Sequence, residues 1–163
     1  MLYEAWIIKF IETNIYIFYT EVNMANGIFD SKNGKVIFVC INKSYEKLSK
    51  GIKVAGRASR WDCVRKYWPI DDVKKANEAD FILGVYHKEI VVVCKMDDRG
   101  WRKISEDSQL MNGFKNDAEI IESPTLLSRY AFSGEIVDDS PYLGMEIPSE
   151  CGFNQSRTVT YNY

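Results

Sequence analysis

Two strongly β-forming segments joined by three polar residues constrain the fold of this chain more than any other feature. Residues 81–86 and residues 90–96 are almost entirely β-branched, aromatic or aliphatic, and His87, Lys88 and Glu89 separate them. Such a pair of segments with a short polar connection predicts a β-hairpin. His87 is then an exposed turn residue, and the hairpin is scaffold rather than a functional site.

Further segments have the composition of strands. Residues 35–42 follow the turn signal Asn33-Gly34 and are nearly continuous in hydrophobicity, which predicts a buried strand that ends in a polar loop at Asn42. Alternation or β-branching predicts three more strands, at residues 101–104, 129–137 and 158–161. The last of these is predicted to be an edge strand.

One long helix and one short helix are predicted between the first strand and the hairpin. Apolar residues recur at steps of three and four over residues 52–68, as on one face of an α-helix; they are Val54, Ala58, Trp61, Val64 and Trp68. Pro69 ends this helix. Asp71 or Asp72 then caps a second helix that runs through Asn77.

The sequence divides into an N-terminal extension, residues 1–35, and one α+β domain, residues 36–163, in which two or three short helices pack on a small mixed sheet. Residues 1–22 are rich in aromatic and aliphatic side chains, but charged residues interrupt them and no uncharged run is long enough to span a bilayer. Two interpretations are open. The segment is either an amphipathic element that packs on the domain or joins two copies into a homodimer, or a translated leader ahead of Met24.

The overall charge argues against a protein that binds nucleic acid indiscriminately, because the net charge is −2 and the isoelectric point is about 5.5. The average hides an asymmetry. Residues 43–66 contain eight basic and two acidic residues, whereas residues 117–150 contain eight acidic residues and a single basic one, Arg129. This polarity favours either an electropositive face that attracts phosphate or two solvated faces that suit each other.

Few residues are suited to catalysis or to metal binding. The four cysteines are scattered without a CxxC pair and the chain has one histidine, so we expect no metal site. Paired aspartates occupy predicted turns and helix starts, where capping explains them, and no glycine-rich phosphate loop occurs. Cys63, with Arg60 and Arg65 nearby, is a candidate for a stabilised thiolate. No catalytic residue and no cofactor are predicted, and reduced cysteines favour a cytoplasmic location.

The basic residues of the predicted long helix are the strongest candidates for a ligand site. Lys53, Arg57 and Arg60 share one stripe, and they are followed by two aromatic faces on which a base could stack, Tyr67 and Trp68. Trp68 lies on the apolar stripe and is better suited to the core, so Tyr67, off that stripe, is the better stacking residue. The pocket is completed by residues from other strands, Asn42, Arg129 and Tyr130.

The order of these parts resembles a recurring pattern of uncharacterised bacterial and phage proteins. The parts are the helix that closes at Trp68, the second helix up to Asp80, the hairpin of residues 81–94, and the strand that begins Arg129-Tyr130-Ala131-Phe132-Ser133-Gly134. Over about residues 36–161 the order is also distantly similar to the PUA-like superfamily, which includes the ASCH, EVE and YTH domains. The resemblance implies a mixed sheet curled into a partial barrel and a cleft that accepts a nucleotide or a modified base.

Three functions are compatible with these features. The first is a non-enzymatic module that binds a nucleotide or a modified base in nucleic acid. The second is a small metal-independent ribonuclease of ASCH type, in which Lys, Arg and Tyr side chains stabilise a cyclising phosphate. The third is a phage-type inhibitor or a protein that sequesters nucleotides. We predict the first, with nucleic acid or free nucleotide as the partner and no membrane association.

Overall fold

The structure, a computed structural model, describes three stretches of the chain: residues 27–54, 56–114 and 123–163. Most of the predicted N-terminal extension, and with it both interpretations of residues 1–23, lies outside the described residues. The described end of the extension contacts the domain, since the rings of Phe29 and Phe38 lie 5.8 Å apart between centroids.

The predicted β-hairpin is confirmed. Strand β2 spans Phe81–Tyr86 and strand β3 spans Glu89–Met96, so His87 and Lys88 alone form the turn. Both turn residues have positive φ angles, 49° and 77°. Positive φ at both central residues is the geometry of a type I′ turn, whose twist matches that of the strands it joins. The turn is therefore one residue shorter than the sequence suggested.

Within the described residues, five strands form one mixed sheet. Strand β1 (Val36–Cys40) pairs in parallel with β2 and antiparallel with β7 (Val159–Tyr161), while β3 pairs antiparallel with β2 and with β6 (Gly134–Ile136). The order is β6-β3-β2-β1-β7, and β4 (Arg102–Lys103) pairs separately with β5 (Tyr130–Ala131). The α+β class is confirmed. The outer strands β6 and β7 do not pair with each other, so the described sheet is not closed into a barrel.

Side chains cover both faces of this sheet. One face carries a core of aliphatic strand residues with two indole rings: Ile37, Val39, Ile82, Val92, Trp68 and Trp101. The opposite face carries a core with three further aromatic rings: Phe38, Leu83, Val85, Val93, Phe29 and Tyr142. Burial on both faces explains why the central strands read as nearly continuous hydrophobic runs instead of alternating ones.

The helices of the described residues are short and lie in the connections between strands. The α-helices are α1 (Asn42–Ser49), α2 (Arg60–Arg65), α3 (Val73–Ala76), α4 (Ser108–Gly113) and α5 (Pro124–Leu127), and single 3-10 turns occur at Ile104–Glu106 and Ser149–Cys151. This is more than the two or three predicted. None of the helices described has the length and apolar character that crossing a membrane requires.

The predicted helix that an aspartate caps is confirmed as α3. The Asp72 carboxylate accepts a hydrogen bond from the backbone N–H of Lys75 at 3.0 Å, and Asn77 is the C-terminal cap. An acceptor at this position satisfies one of the backbone N–H groups that a helix start leaves without a partner.

The prediction of one helix over residues 52–68 is wrong. Gly56 has a φ angle of 64°, and Val54 forms an isolated bridge with Arg57, so the chain turns back on itself at this point. Helix α2 begins only at Arg60. The apolar residues of this segment therefore recur with a helical period, although most of the segment is not a helix.

Two further predictions are corrected. Asn42, predicted in a loop, is the first residue of α1, and its side-chain oxygen accepts a hydrogen bond from the backbone N–H of His87 at 2.9 Å. Residues 129–137, predicted as one strand, are divided between β5 and β6. The division arises because the chain pairs with β4 as far as Ala131 and joins β3 only at Gly134.

Gly134 is a position at which we expect a side chain to be poorly tolerated. Its φ angle is 154°, and a Cβ atom there would lie 1.9 Å from the carbonyl oxygen of Lys95. Gly134→Ala should therefore lower the free energy of unfolding by about 3 kcal/mol, measured by urea denaturation. Gly113→Ala is the matched control, since a Cβ at Gly113 meets no atom within 4 Å. Equal stability of the two variants would contradict the pairing of β3 with β6.

Candidate functional site

Helix α2 begins with a reciprocal cap. The Ser59 hydroxyl accepts a hydrogen bond from the backbone N–H of Asp62 at 3.2 Å, and the Asp62 carboxylate accepts one from the backbone N–H of Ala58 at 3.2 Å. The arrangement is close to a capping box, in which the cap residue and the third helical residue bond to each other's backbone region. It holds the buried Asp62 side chain in one orientation.

Asp62 is a carboxylate that Arg65 and Lys66 share. Its Oδ1 atom lies 2.8 Å from Nη2 of Arg65 and 3.0 Å from Nζ of Lys66. Burial raises the pKa of the Asp62 carboxyl, but the hydrogen bonds and charges of Lys66 and Arg65 outweigh burial and hold the pKa below its ordinary value of 3.8. Asp62 is therefore ionised at neutral pH and faces two cations with one negative charge.

Arg57 brings a third cation to the same place from the turn that precedes α2. Its Nη2 atom donates to the carbonyl oxygen of Lys66 at 2.9 Å, and its guanidinium lies over the rings of Tyr67 and Trp68, 5.7 and 5.3 Å from their centroids. Its Nε is buried without a hydrogen-bond partner in the described part of the chain. Burial lowers the pKa of Arg57, and the positive charge of nearby Arg129 acts in the same direction.

We call Arg57, Arg65, Lys66 and Arg129 the cationic cluster, and aromatic rings lie beside the first three of these cations. The Nζ atom of Lys66 lies 4.4 Å from the ring centroid of Phe114, and the guanidinium of Arg65 lies 5.1 Å from it. Such cation–π contacts contribute about 0.5–2 kcal/mol, depending on burial. Together with the ion pairs to Asp62, these contacts restrict the side chains of Arg65 and Lys66 before any ligand arrives.

Tyr67 has a backbone conformation that is rare for a tyrosine. Its φ angle is 66°, in the left-handed region, which costs about 1 kcal/mol or more for a residue other than glycine. The turn brings Trp68 beside Tyr130, and the two residues exchange backbone N–H to carbonyl hydrogen bonds, both 3.0 Å long. Arg129 is carried to the cluster as the residue that precedes Tyr130.

The structure brings five of the predicted site residues together and separates the other three from them. The five are Arg57, Tyr67, Trp68, Arg129 and Tyr130. Arg60 instead pairs with Asp138, with 3.1 Å between Nη2 and Oδ1, and both side chains are exposed. Lys53 is exposed ahead of the turn at Gly56, and Asn42 bonds to the hairpin turn. The predicted stripe of Lys53, Arg57 and Arg60 does not exist, because that stretch is not a single helix.

The two predicted stacking residues do not present their rings to solvent. Tyr67 and Trp68 are each 5% exposed. The ring of Tyr67 packs against Phe114 with 5.9 Å between centroids, and the Trp68 indole N–H donates to the carbonyl oxygen of Val64 at 2.6 Å. Tyr67 as a stacking residue is wrong, because the left-handed turn directs it into the core. Trp68 as a core residue is confirmed.

A small cavity of about 310 Å³ lies beside Tyr130. Trp101 and Lys103 also line it. Trp101 is 1% exposed, and its indole N–H has no hydrogen-bond partner among the residues described. The volume is at the lower end of those of ligand pockets. The cavity therefore combines aromatic side chains with charged ones, which include Glu106 and Asp107.

The predicted thiolate at Cys63 is wrong. Cys63 is fully buried, and burial raises the pKa of its thiol, although a hydrogen bond from Ser44 and the charge of Arg57 act against the rise. The thiol is therefore protonated at neutral pH and is part of the core. A reactive cysteine would need the opposite shift.

Sequence reasoning did not include Arg65, Lys66 and Asp62 in the site. The signal that finds them is the pair Ser59 and Asp62, three residues apart, because this spacing is typical of a helix cap. A helix that starts there places Arg65 and Lys66 three and four residues after Asp62, the spacing at which opposite charges pair on a helix.

No relative assigns a function to this site. Comparison of the chain with protein-family models, with curated proteins and with solved structures finds no match in any of the three. The PUA-like relationship therefore stays a prediction. Within the described stretches, no group of three His, Cys, Asp or Glu side chains is placed to hold a metal ion.

Asp62 should make the stability of the fold depend on pH. Because its folded-state pKa is lowered, its ionised form stabilises the fold fully above the ordinary carboxyl pKa, and this contribution is lost as the pH falls below about 4. Asp62→Asn leaves Arg65 and Lys66 without their shared carboxylate and should cost about 3 kcal/mol at pH 7. Urea denaturation at pH 7 and at pH 3 measures the difference.

The matched control for Asp62→Asn is Asp138→Asn, which breaks the exposed pair with Arg60. We expect this control to cost less than about 1 kcal/mol, since exposed pairs contribute little. The difference in free energy of unfolding between the wild-type chain and Asp62→Asn should be smaller at pH 3 than at pH 7. A difference of unchanged size at both pH values would contradict the lowered pKa of Asp62.

Proposed function

We propose that the protein is a non-enzymatic module that binds a nucleotide or a base in nucleic acid, with the phosphate held by the cationic cluster. The observation that carries the proposal is the imbalance of charge at the cluster. Two of its guanidinium groups, those of Arg57 and Arg129, form no ion pair with a described carboxylate, and the positive charge of Arg129 acts on Arg57. Guanidinium groups suit phosphate because they donate parallel hydrogen bonds to two of its oxygens.

Packing alone does not account for this imbalance. A buried cation that lacks a carboxylate partner is costly, and an uncharged side chain would fill the same space. Yet the Nε atom of Arg57 is buried without a partner in the described residues, and Arg129 forms no side-chain hydrogen bond or ion pair with any of them. A bound phosphate would provide an acceptor for the half-buried Arg129 guanidinium.

The cavity beside Tyr130 is the place that we assign to the base. Tyr130 lines it and follows Arg129 directly in the chain. Tyr130 and Trp101 supply aromatic side chains to the lining, and the charged groups of Lys103, Glu106 and Asp107 can form hydrogen bonds with the edge of a base. The aromatic pair replaces Tyr67 and Trp68 in the role that the sequence suggested for them.

Other parts of the sequence-based interpretation stay predictions. They are the PUA-like partial barrel, the metal-independent ribonuclease, the phage-type inhibitor, and the homodimer through residues 1–23. Incubation of the protein with labelled RNA in the binding assay below also detects cleavage, and cleavage would favour the ribonuclease over the binding module.

Arg129→Gln is the sharpest test, because its side chain can be replaced without breaking a described hydrogen bond or ion pair. We expect the variant to bind a fluorescein-labelled single-stranded oligonucleotide about tenfold more weakly than the wild-type chain. The slope of log affinity against log salt concentration should become shallower by about 0.7, as expected when one phosphate contact is lost. Fluorescence anisotropy over a series of salt concentrations measures both quantities, with RNA and with DNA.

Lys50→Gln is the matched control, since Lys50 is an exposed cation that pairs with Glu46 at 2.6 Å on α1. The control should keep the wild-type affinity and slope. Competition by free nucleoside triphosphates distinguishes a nucleotide from a nucleic acid as the ligand. The proposal fails if none of these ligands binds, or if the two variants have equal affinities and equal salt slopes.

A further inference from the structure

A groove runs along β7. Its volume is about 660 Å³, and residues 156–161 line it continuously. Pro69, Asp71 and Lys75 also line it, as do Cys151 and Gly152. We call this groove the slot, and its volume is within the range of ligand sites.

The backbone of β7 faces this slot at alternate residues. On the inner side, Thr158 accepts from the backbone N–H of Cys40 at 3.0 Å, and Asn162 donates its own N–H to the carbonyl oxygen of Val36 at 3.2 Å. In an antiparallel ladder every second residue bonds to the neighbouring strand. Val159 and Tyr161 therefore direct their N–H and C=O groups outward, and β7 has no outer partner strand in the described part of the chain.

Positive side chains outnumber negative ones among the described residues that line the slot. The Nζ atom of Lys75 lies 4.9 Å from the ring centroid of Tyr161 and 5.3 Å from that of Tyr163, and it forms no ion pair with a described carboxylate. Arg157 is exposed and likewise forms no such pair. Among the described residues, Asp71 is the one acidic residue that lines the slot. The two cations outnumber it, so an occupant with negative side chains is favoured.

We infer that this slot binds an extended peptide segment with acidic side chains, which adds to the sheet as a strand beside β7. Outward donors and acceptors that recur at every second residue match the backbone of another strand, whose own groups recur at the same interval of about 6.8 Å. A small anion would use the cations but not the strand edge. Lys75 and Arg157 then select Asp or Glu on the added strand.

The first test uses an end-capped peptide, Thr-Glu-Thr-Glu-Thr-Glu-Thr, and its counterpart with Lys in place of Glu, titrated into the full chain by isothermal calorimetry. The Glu peptide should bind at least about tenfold more tightly than the Lys peptide. A series of Glu peptides, each N-methylated at one amide, then shows which N–H groups of the peptide pair with β7. Methylation should weaken binding about tenfold at every second position and have little effect between them, because only alternate N–H groups face β7.

Variants of the chain complete the test. Replacing Lys75 and Arg157 together by Gln should abolish the preference for Glu over Lys peptides, whereas Lys50→Gln should leave it unchanged. The backbone pairing would still operate in the double variant, so the alternating effect of N-methylation should persist. Any loss of binding in that variant can thus be separated from unfolding.

Several results would overturn the inference. These are failure of the Glu peptide to bind at millimolar concentration, equal binding of Glu and Lys peptides, or N-methyl effects without a period of two. Sedimentation of the chain as a dimer that Val159→Pro dissociates would mean that a second copy occupies the slot, and would overturn it as well. Each of these outcomes leaves the test of Arg129→Gln unaffected.

Discussion

The parallel pairing of β1 with β2 is the constraint on which the rest of the structure depends. The two strands are in register from Val36 opposite Phe81 to Cys40 opposite Val85. Parallel strands cannot be joined by a tight turn, because the chain must travel back to the end at which the first strand began. Residues 41–80 make this crossing, and their apolar residues cover one face of the sheet. The basic stretch of the sequence is therefore carried across that face.

The crossing is broken into three short helices, and the breaks decide where the charges meet. A continuous helix would spread its basic residues along one stripe, at a pitch of about 5.4 Å per turn. Instead the chain reverses at Gly56 and again at Tyr67, where the φ angles are 64° and 66°. The reversals fold Arg57 back toward Lys66. The strain at Tyr67 is offset by the paired backbone hydrogen bonds that Trp68 then makes, each worth about 1 kcal/mol.

The elements that could be predicted from the sequence are those in which local preference and tertiary packing agree. The hairpin, the first strand and the helix capped by Asp72 have turn or cap residues that point to the same structure as their hydrophobic pattern. Residues 52–68 show the opposite case. Their apolar period is helical, yet Gly56 turns the chain and Ser59 caps a new helix. These two local signals outweigh the period. The neighbours of a residue such as Arg129 come from a distant segment, so no local sequence pattern indicates them.

The net charge of the chain is a poor guide to its surfaces, because the fold brings together charges from distant parts of the sequence. A total of −2 arises from basic residues carried on the crossing and acidic residues elsewhere, so the average describes neither. The end of the crossing flanks β7 because β7 pairs with β1. Exposed strand edges invite unwanted pairing, and lysine or proline beside an edge is a common protection. Pro69 and Lys75 fit that protective role against neutral strands. A positive charge beside the edge does not favour the pairing of most strands, but it attracts an acidic strand. The same interaction therefore protects the edge from most strands and selects an acidic one.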